Sequence, residues 1–203
     1  MIKNSLLLIC VLFVCAFSGC SGELSRTTTL FDEILIGSSG IFKVSELPFG
    51  ASQEDILAAE GLGEDDVQIR DIADINSSFV IVKEKSAYDE LDPYGVQKTF
   101  TFVDDSLTGI AYSVAYRDVP HEDAYDSAMS VYEKLNIALE DSGAESLESG
   151  SIDSLDEVGG TFTKQWVLDG VMISLNMNYQ DMSEADFTDM DQFNLSINFT
   201  QAK

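Results

Sequence analysis

Carboxylates are the most abundant ionisable side chains of this sequence. It contains 36 Asp and Glu, compared with 11 Lys and Arg, three Cys and one His. Three of them, Asp186, Asp189 and Asp191, fall within the acidic stretch DMSEADFTDMDQFN at residues 181–194. Hard oxygen ligands of this kind suit Ca²⁺, although the stretch lacks the glycine and the final glutamate of an EF-hand loop. The stretch therefore predicts either a weak calcium site or a solvated acidic loop, and we expect no cofactor.

The remaining residue types limit the catalytic chemistry. His121 is the single histidine, and no serine has the G-x-S-x-G surroundings of a hydrolase nucleophile. We expect a solvated histidine at the start of a helix, and no enzymatic activity. A pair of carboxylates for glycoside hydrolysis is available in number, but nothing in the sequence selects one pair. A carboxylate-dependent extracellular hydrolase is therefore the alternative.

All three cysteines lie in the first 20 residues, at Cys10, Cys15 and Cys20. Lys3 precedes an apolar run at residues 6–17, which is typical of a secretory signal and is short for a membrane span. The run ends in Phe17-Ser18-Gly19-Cys20, which resembles the lipobox of bacterial lipoproteins. This resemblance implies cleavage after residue 19 and acylation of the Cys20 thiol. A plain signal peptide or a signal anchor is the alternative.

The formal net charge of −25 predicts a strongly acidic surface for this protein. Such a surface repels nucleic acid and anionic lipid headgroups, because binding to either depends on basic side chains. An apolar fraction of 45% argues against wholesale disorder. We interpret the charge as a source of solubility and of spacing from a membrane, with an acidic surface for a basic partner or for cations as the alternative.

The first half of the chain divides into a tether and a helix followed by strands. Residues 20–40 are predicted to form the lipidated N-terminus and tether, and residues 41–203 one α+β domain. Ser52 and Gly61 bracket a short predicted helix. Three predicted strands follow at Ser78–Glu84, Val96–Val103 and Gly109–Arg117, with a loop at Ser86–Gly95.

The second half repeats this order. A longer helix is predicted from Asp118 to Gly143, with apolar residues at helical spacing. Three strands with period-two alternation follow at 162–168, 171–179 and 193–200, and Asp169-Gly170 predicts a tight hairpin turn between the first two. The expected fold is α+β in two layers, an antiparallel sheet with helices on one face. Residues 41–117 and 118–203 are compatible with a duplicated helix–three-strand unit.

Two stretches resemble known small lipoproteins. Leu47–Leu57, LPFGASQEDIL, and the hairpin sequence Trp166–Leu175, WVLDGVMISL, resemble segments of the β-lactamase-inhibitor-protein-like and small outer-membrane-assembly lipoprotein families. The resemblance implies an α+β fold and a binding role, and it carries over no activity.

The polar side of the predicted sheet is the candidate binding surface. Its side chains are small or polar and uncharged, so that a partner would displace little water from charged groups. An ordinary solvated face is the alternative. The candidate residues are Ser113, Ser174, Asn176, Asn178, Asn194, Ser196 and Asn198, beside Ala111, Ala115 and Met172.

These features together predict a lipid-anchored bacterial protein outside the cytoplasm, on the cell membrane or the outer membrane. The expected role is a non-catalytic interaction module with a protein partner in the cell envelope. The alternatives are the hydrolase named above and a weak calcium-binding surface protein.

Overall fold

The computed structural model describes residues 47–202, except 73–75, 88–93, 117–118, 148–149, 151, 153–154, 156–158 and 181–192. Cys20, the predicted signal peptide, the predicted tether and the calcium candidates Asp186, Asp189 and Asp191 lie outside the described residues. Neither of the two α-helices that the structure describes is long and apolar enough to cross a membrane.

The described chain is mostly antiparallel sheet, with two α-helices. The helices are α1, Gln53–Glu60, and α2, His121–Asp141, and a 3₁₀ turn spans Glu64–Asp66. The strands are β1 Val67–Ile72, β2 Ser77–Val82, β3 Ser86–Ala87, β4 Gly95–Val103, β5 Ser106–Tyr116, β6 Glu145–Ser146, β7 Gly159–Leu168, β8 Val171–Gln180 and β9 Phe193–Gln201.

The strands form one sheet in the order β1-β2-β4-β5-β9-β8-β7-β6, while β3 pairs with β4. Every recorded pairing is antiparallel. The strands that precede α2 therefore form one half of the sheet, the strands that follow α2 form the other, and β5 pairs with β9 at the junction. The antiparallel sheet predicted from the sequence is confirmed, and two α-helices accompany it.

Helix α1 has the two ends that its sequence predicts. The Ser52 hydroxyl accepts a hydrogen bond from the Asp55 backbone N–H at 3.2 Å and donates to the Asp55 carboxylate at 2.8 Å. Gly61 ends the helix in the left-handed conformation, at φ 69°, which costs glycine little because it has no Cβ. Ile56 is the buried residue of this helix.

Helix α2 buries one apolar stripe, flanked by half-buried residues, and exposes its opposite side. Pro120 occupies the N-cap position, where its missing N–H is harmless because that group would have no partner within the helix. The stripe repeats every three or four residues, which brings its members to one side of the helix. Its buried members are Ala124, Ala128, Val131, Leu135 and Leu139.

The strand prediction was incomplete. Strand β1 was not predicted, and Ser86–Ala87 pairs with β4 although it was expected to lie in a loop. Five of the six residues of β1 are exposed, because β1 forms the edge of the sheet. An edge strand without a regular apolar alternation gives little signal in a sequence. Each half of the sheet therefore holds four strands of the main order, and the expected helix–three-strand unit is corrected accordingly.

The two sides of the sheet differ in burial. On one side, alternate residues of β4, β5, β7, β8 and β9 are almost fully buried and join the buried residues of both helices in one apolar cluster. Trp166, Tyr116, Phe100 and Phe193 are among its largest members. The intervening residues are mostly half-buried. This alternation follows from the pleat, which turns successive side chains to opposite faces.

Candidate binding face

Among the side chains that the structure describes, the half-buried side of the sheet carries no charged residue across six neighbouring strands. We call this surface the uncharged face. It runs from β2 through β4, β5, β9 and β8 to β7. Its residues are Phe79, Ile81, Gln97, Thr99, Thr101, Gly109, Ala111, Ser113, Ala115, Asn194, Ser196, Asn198, Thr200, Met172, Ser174, Asn176, Asn178, Thr161, Thr163, Gln165 and Val167.

The structure brings together all seven residues that the sequence singled out for binding. Ser113 on β5 lies opposite Ser196 on β9, and Ser196 lies opposite Asn176 on β8. The pairs Ser174–Asn198 and Asn178–Asn194 continue the same surface across β8 and β9. Their role in binding stays a prediction.

Hydrogen bonds between strands hold part of this surface in place. The Thr163 hydroxyl donates to the Asn176 side-chain carbonyl at 3.0 Å, and the Asn178 amide donates to the Thr161 hydroxyl at 2.9 Å. Since amides and hydroxyls offer both donors and acceptors, each can still bond a partner. The face is therefore ordered without any ionic contact among its own residues.

Half of the uncharged face was missed by the sequence reasoning. Strands β4 and β7 contribute Gln97, Thr99, Thr101, Thr161, Thr163 and Gln165, and β2 contributes Phe79. The same period-two alternation that identified the polar residues of β8 and β9 was available in these strands. The polar residues of β4 and β7 were therefore predictable from the sequence but were not assigned to the face.

Two depressions lie at opposite ends of the uncharged face. One has a volume of about 690 Å³ and is lined by side chains that include Val167, Met172 and Thr200. The other has a volume of about 250 Å³ and is lined by side chains that include Lys85, Gln97 and Ser113. The first offers mainly apolar surface and the second offers polar groups, so that the two ends of the face differ chemically.

Every Asp and Glu that the structure describes is exposed. In the described ranges, no group of three or more His, Cys, Asp and Glu has the arrangement of a metal site. The described residues therefore provide no buried carboxylate that could serve as an acid in glycoside hydrolysis. The calcium prediction at Asp186, Asp189 and Asp191 falls on residues that are not described.

His121 does begin α2, but the expectation of a solvated ring is wrong. The His121 ring lies 4.0 Å from the Tyr179 ring, measured between centroids, and also contacts Tyr125 and Phe193. Its Nε2 atom is buried and has no hydrogen-bond partner among the residues described. Tyr179 and Phe193 come from β8 and β9, so the sequence of the helix alone did not reveal these two neighbours.

A charged cleft of about 650 Å³ lies beyond the end of α1. The Lys98 ammonium group contacts the Glu60 carboxylate at 2.9 Å, and Lys83 donates to the Asp65 backbone carbonyl at 2.8 Å. The Glu60 carboxylate therefore balances the charge of Lys98, and the Asp65 carbonyl holds the Lys83 side chain in place. The cleft is therefore a weaker candidate site than the uncharged face.

Comparison with protein-family models, with curated proteins and with solved structures gives no match to this chain. The resemblance of Leu47–Leu57 and Trp166–Leu175 to small lipoprotein families therefore stays a prediction.

Proposed function

We propose that this chain is a lipid-anchored bacterial envelope protein that acts as a non-catalytic interaction module. In this proposal the acylated Cys20 holds it to the outer side of the cell membrane or to the outer membrane, and residues 20–40 tether the folded part. The uncharged face binds a protein partner. One observation carries the binding proposal: six neighbouring strands present an uncharged surface in a chain of net charge −25.

Desolvation favours this surface for binding. Burying a charged side chain in an interface is costly unless a partner compensates it, whereas hydroxyls and amides need only matching hydrogen bonds. The described carboxylates all remain exposed to solvent and keep the protein soluble. A partner that approaches the uncharged face meets none of them directly.

We also infer that both helices cover the other side of the sheet, in two layers, and that the halves 41–117 and 118–203 arose from one duplicated unit. Contacts of both helices support this arrangement. Glu60 of α1 pairs with Lys98 of β4, while the Tyr132 ring of α2 lies 5.5 Å from the Phe162 ring of β7. Each half contributes one helix and four strands of the main sheet order.

The anchor is tested by metabolic labelling with an alkyne fatty acid, followed by membrane fractionation. We expect the full chain to carry the label and to sediment with membranes, and Cys20→Ser to lose both properties. Cys15→Ser is the matched control and should keep the label, because residue 15 would be removed with the signal peptide. An unlabelled protein in the cytosol would overturn the anchor.

The face is tested by placing a photo-crosslinking amino acid at Asn176 in cells. We expect a discrete adduct in the membrane fraction, and we expect Ser174→Asp to abolish it by placing a charge in the contact. The matched controls are the crosslinker at Ser130, an exposed position of α2, and the variant Ser130→Asp. Adducts that are equal at both positions, or unchanged in Ser174→Asp, would contradict a binding role of the face.

A further inference from the structure

One row of residues crosses the whole sheet on the side of the uncharged face. Each member lies directly opposite the next, from β1 to β6. The first residue is basic, the last is acidic, and the six between them are uncharged. In order, the row is Arg70, Phe79, Thr101, Gly109, Thr200, Met172, Val167 and Glu145.

The row also has a large apolar side chain near one end and an apolar depression near the other. Phe79 is second in the row and half-buried. Val167, second from the opposite end, lines the depression of about 690 Å³ together with Met172 and Thr200. The row is therefore complementary to its own reversed copy, both in charge and in shape.

We propose that the partner of the uncharged face is a second copy of this chain, stacked face to face. This proposal rests on the binding role of that face proposed above. The two-fold axis runs along the strand direction between β5 and β9, at the middle of the row. It places Arg70 over Glu145 of the second copy and Phe79 over the depression at Val167 of the second copy, twice in each dimer.

The twist of the sheet is compatible with this arrangement. Both copies twist with the same hand, so that a half-turn about an axis along the strands leaves the two saddle-shaped surfaces parallel. Contacts at the ends of the row are then retained along with those at its centre. Sheets that stack in this aligned way lie about 10 Å apart with their side chains interdigitated.

The size of the face is sufficient for a specific dimer. Eight strands at a spacing of about 4.8 Å give a row of about 34 Å, and strands of about seven residues are about 24 Å long. The product is about 800 Å² for each copy, which is the size of a standard protein–protein interface. Two of the most exposed apolar side chains, Ile72 at 40% and Val103 at 37%, lie on this same side.

Charge also selects this face over the rest of the surface. Two copies that each carry a net charge of −25 repel each other wherever their carboxylates meet. On the uncharged face the nearest ionisable groups in the row are Arg70 and Glu145, and the two-fold rotation brings these into opposite pairs. Like-charge contacts suppress other arrangements.

Cysteine crosslinking in membranes tests the proposal with the full chain. Ser113→Cys places a thiol on β5, beside the proposed axis, and the acylated wild-type chain offers no free thiol. We expect a short bifunctional thiol reagent to produce a species of twice the monomer mass from Ser113→Cys. Ser130→Cys, exposed on α2, is the matched control and should stay monomeric.

Charge reversal tests the pairing within the dimer. In the Ser113→Cys background, Arg70→Glu or Glu145→Arg alone places like charges opposite each other at both ends of the interface. We expect each to weaken dimerisation roughly tenfold, since two exposed pairs change from attraction to repulsion. The double variant Arg70→Glu/Glu145→Arg should restore the wild-type crosslinking yield.

The other outcomes separate this inference from the proposed function. A Ser113→Cys thiol that reacts with a monofunctional reagent but gives no dimer overturns the homodimer. An unreactive thiol in a monomer also overturns it, because the face would then be covered by another molecule or by the chain itself. Crosslinking of the wild-type chain would instead reveal an unacylated Cys20 and contradict the anchor. A heterologous adduct at Asn176 would preserve the interaction module without the homodimer.

Discussion

The side chain of Trp166 is fully buried, yet its indole nitrogen has no hydrogen-bond partner in the part of the chain that the structure describes. The Lys164 ammonium group lies 5.8 Å from the centre of the ring, on the side of the sheet that faces the apolar cluster. A buried donor without a partner lowers stability, while the ring itself contributes a large packed surface. The two effects oppose each other within one residue.

Two substitutions separate these effects. We expect Trp166→Ala to reduce the free energy of unfolding by about 3–5 kcal/mol, because it leaves a cavity. Trp166→Phe should cost only about 1–2 kcal/mol, since it keeps an aromatic ring and removes the unpartnered N–H. Urea unfolding followed by circular dichroism measures both, with the exposed Ile137→Ala as a control that changes little. Equal losses from Trp166→Phe and Trp166→Ala would show that a phenyl ring cannot replace the packing of the indole at this site.

Tyr116 is a buried ionisable residue that makes the stability of the fold depend on pH. Burial raises the pKa of Tyr116 to about 12, while a hydrogen bond with Ser127 at 3.2 Å acts in the opposite direction and the Tyr94 hydroxyl adds a smaller increase. The unfolded chain releases this proton near pH 10 and the folded chain keeps it. The free energy of unfolding should therefore fall by up to about 1.4 kcal/mol per pH unit between pH 10 and pH 12 because of this residue.

Denaturant titrations of wild type and Tyr116→Phe from pH 9 to pH 12 measure this contribution. The variant should lose less stability than wild type over this range, because it has no proton to release at that position. Other tyrosines contribute equally to both proteins and cancel in the difference. Parallel curves for the two proteins would contradict an elevated pKa of Tyr116.

Among the elements, α1 is the one whose existence depends most on its ends. It has eight residues and one buried side chain, Ile56. Isolated helices of this length are unstable in water. The hydrogen bonds of Ser52 at the start and the left-handed Gly61 at the end therefore matter more here than in the longer α2.

The cap gives a direct test of this dependence. We expect Ser52→Ala to reduce the free energy of unfolding by about 1 kcal/mol, because the Asp55 backbone N–H loses its acceptor. Ser130→Ala on the exposed side of α2 is the matched control and should be neutral or slightly stabilising, since alanine has the higher helix propensity. A loss in Ser130→Ala as large as that in Ser52→Ala would show that the capping bond is unimportant.

For the whole molecule, the dominant electrostatic feature is repulsion among exposed carboxylates. Raising NaCl from about 20 mM to about 500 mM shortens the screening length from about 20 Å to about 4 Å. We expect the Tm to rise by several degrees, because the net charge of −25 opposes the compact state. A Tm that falls with salt would show instead that attractive pairs dominate the surface.

The same measurement tests the calcium alternative for the acidic stretch. At equal ionic strength, CaCl₂ should raise the Tm no more than NaCl does if the stretch is solvated. A larger effect of CaCl₂ that disappears in the combined variant Asp186→Asn/Asp189→Asn/Asp191→Asn would establish a calcium site. A ligand that binds the folded state must raise its apparent stability, so the comparison detects weak binding.

Local patterns in the sequence were sufficient for the helices and for most strands. Ser52 and Gly61 marked α1, and Asp169-Gly170 marked the β7–β8 turn, where both residues have positive φ, 50° and 77°. Regular alternation in β5, β8 and β9 placed the polar candidates on one face, because a pleat repeats every two residues. Strand β1 escaped detection because it is an exposed edge strand without a regular alternation of apolar residues.

The sequence alone determined which side chains are small and uncharged, and that alternate residues of a strand share a face. The folded chain decided that β5 lies beside β9, so that Ser113 faces Ser196 despite their distance along the chain. It also determined which residues form the row from Arg70 to Glu145, because that row depends on the registers of seven successive strand pairs. Alternation is a local property of each strand, whereas order and register result from packing all strands against one core.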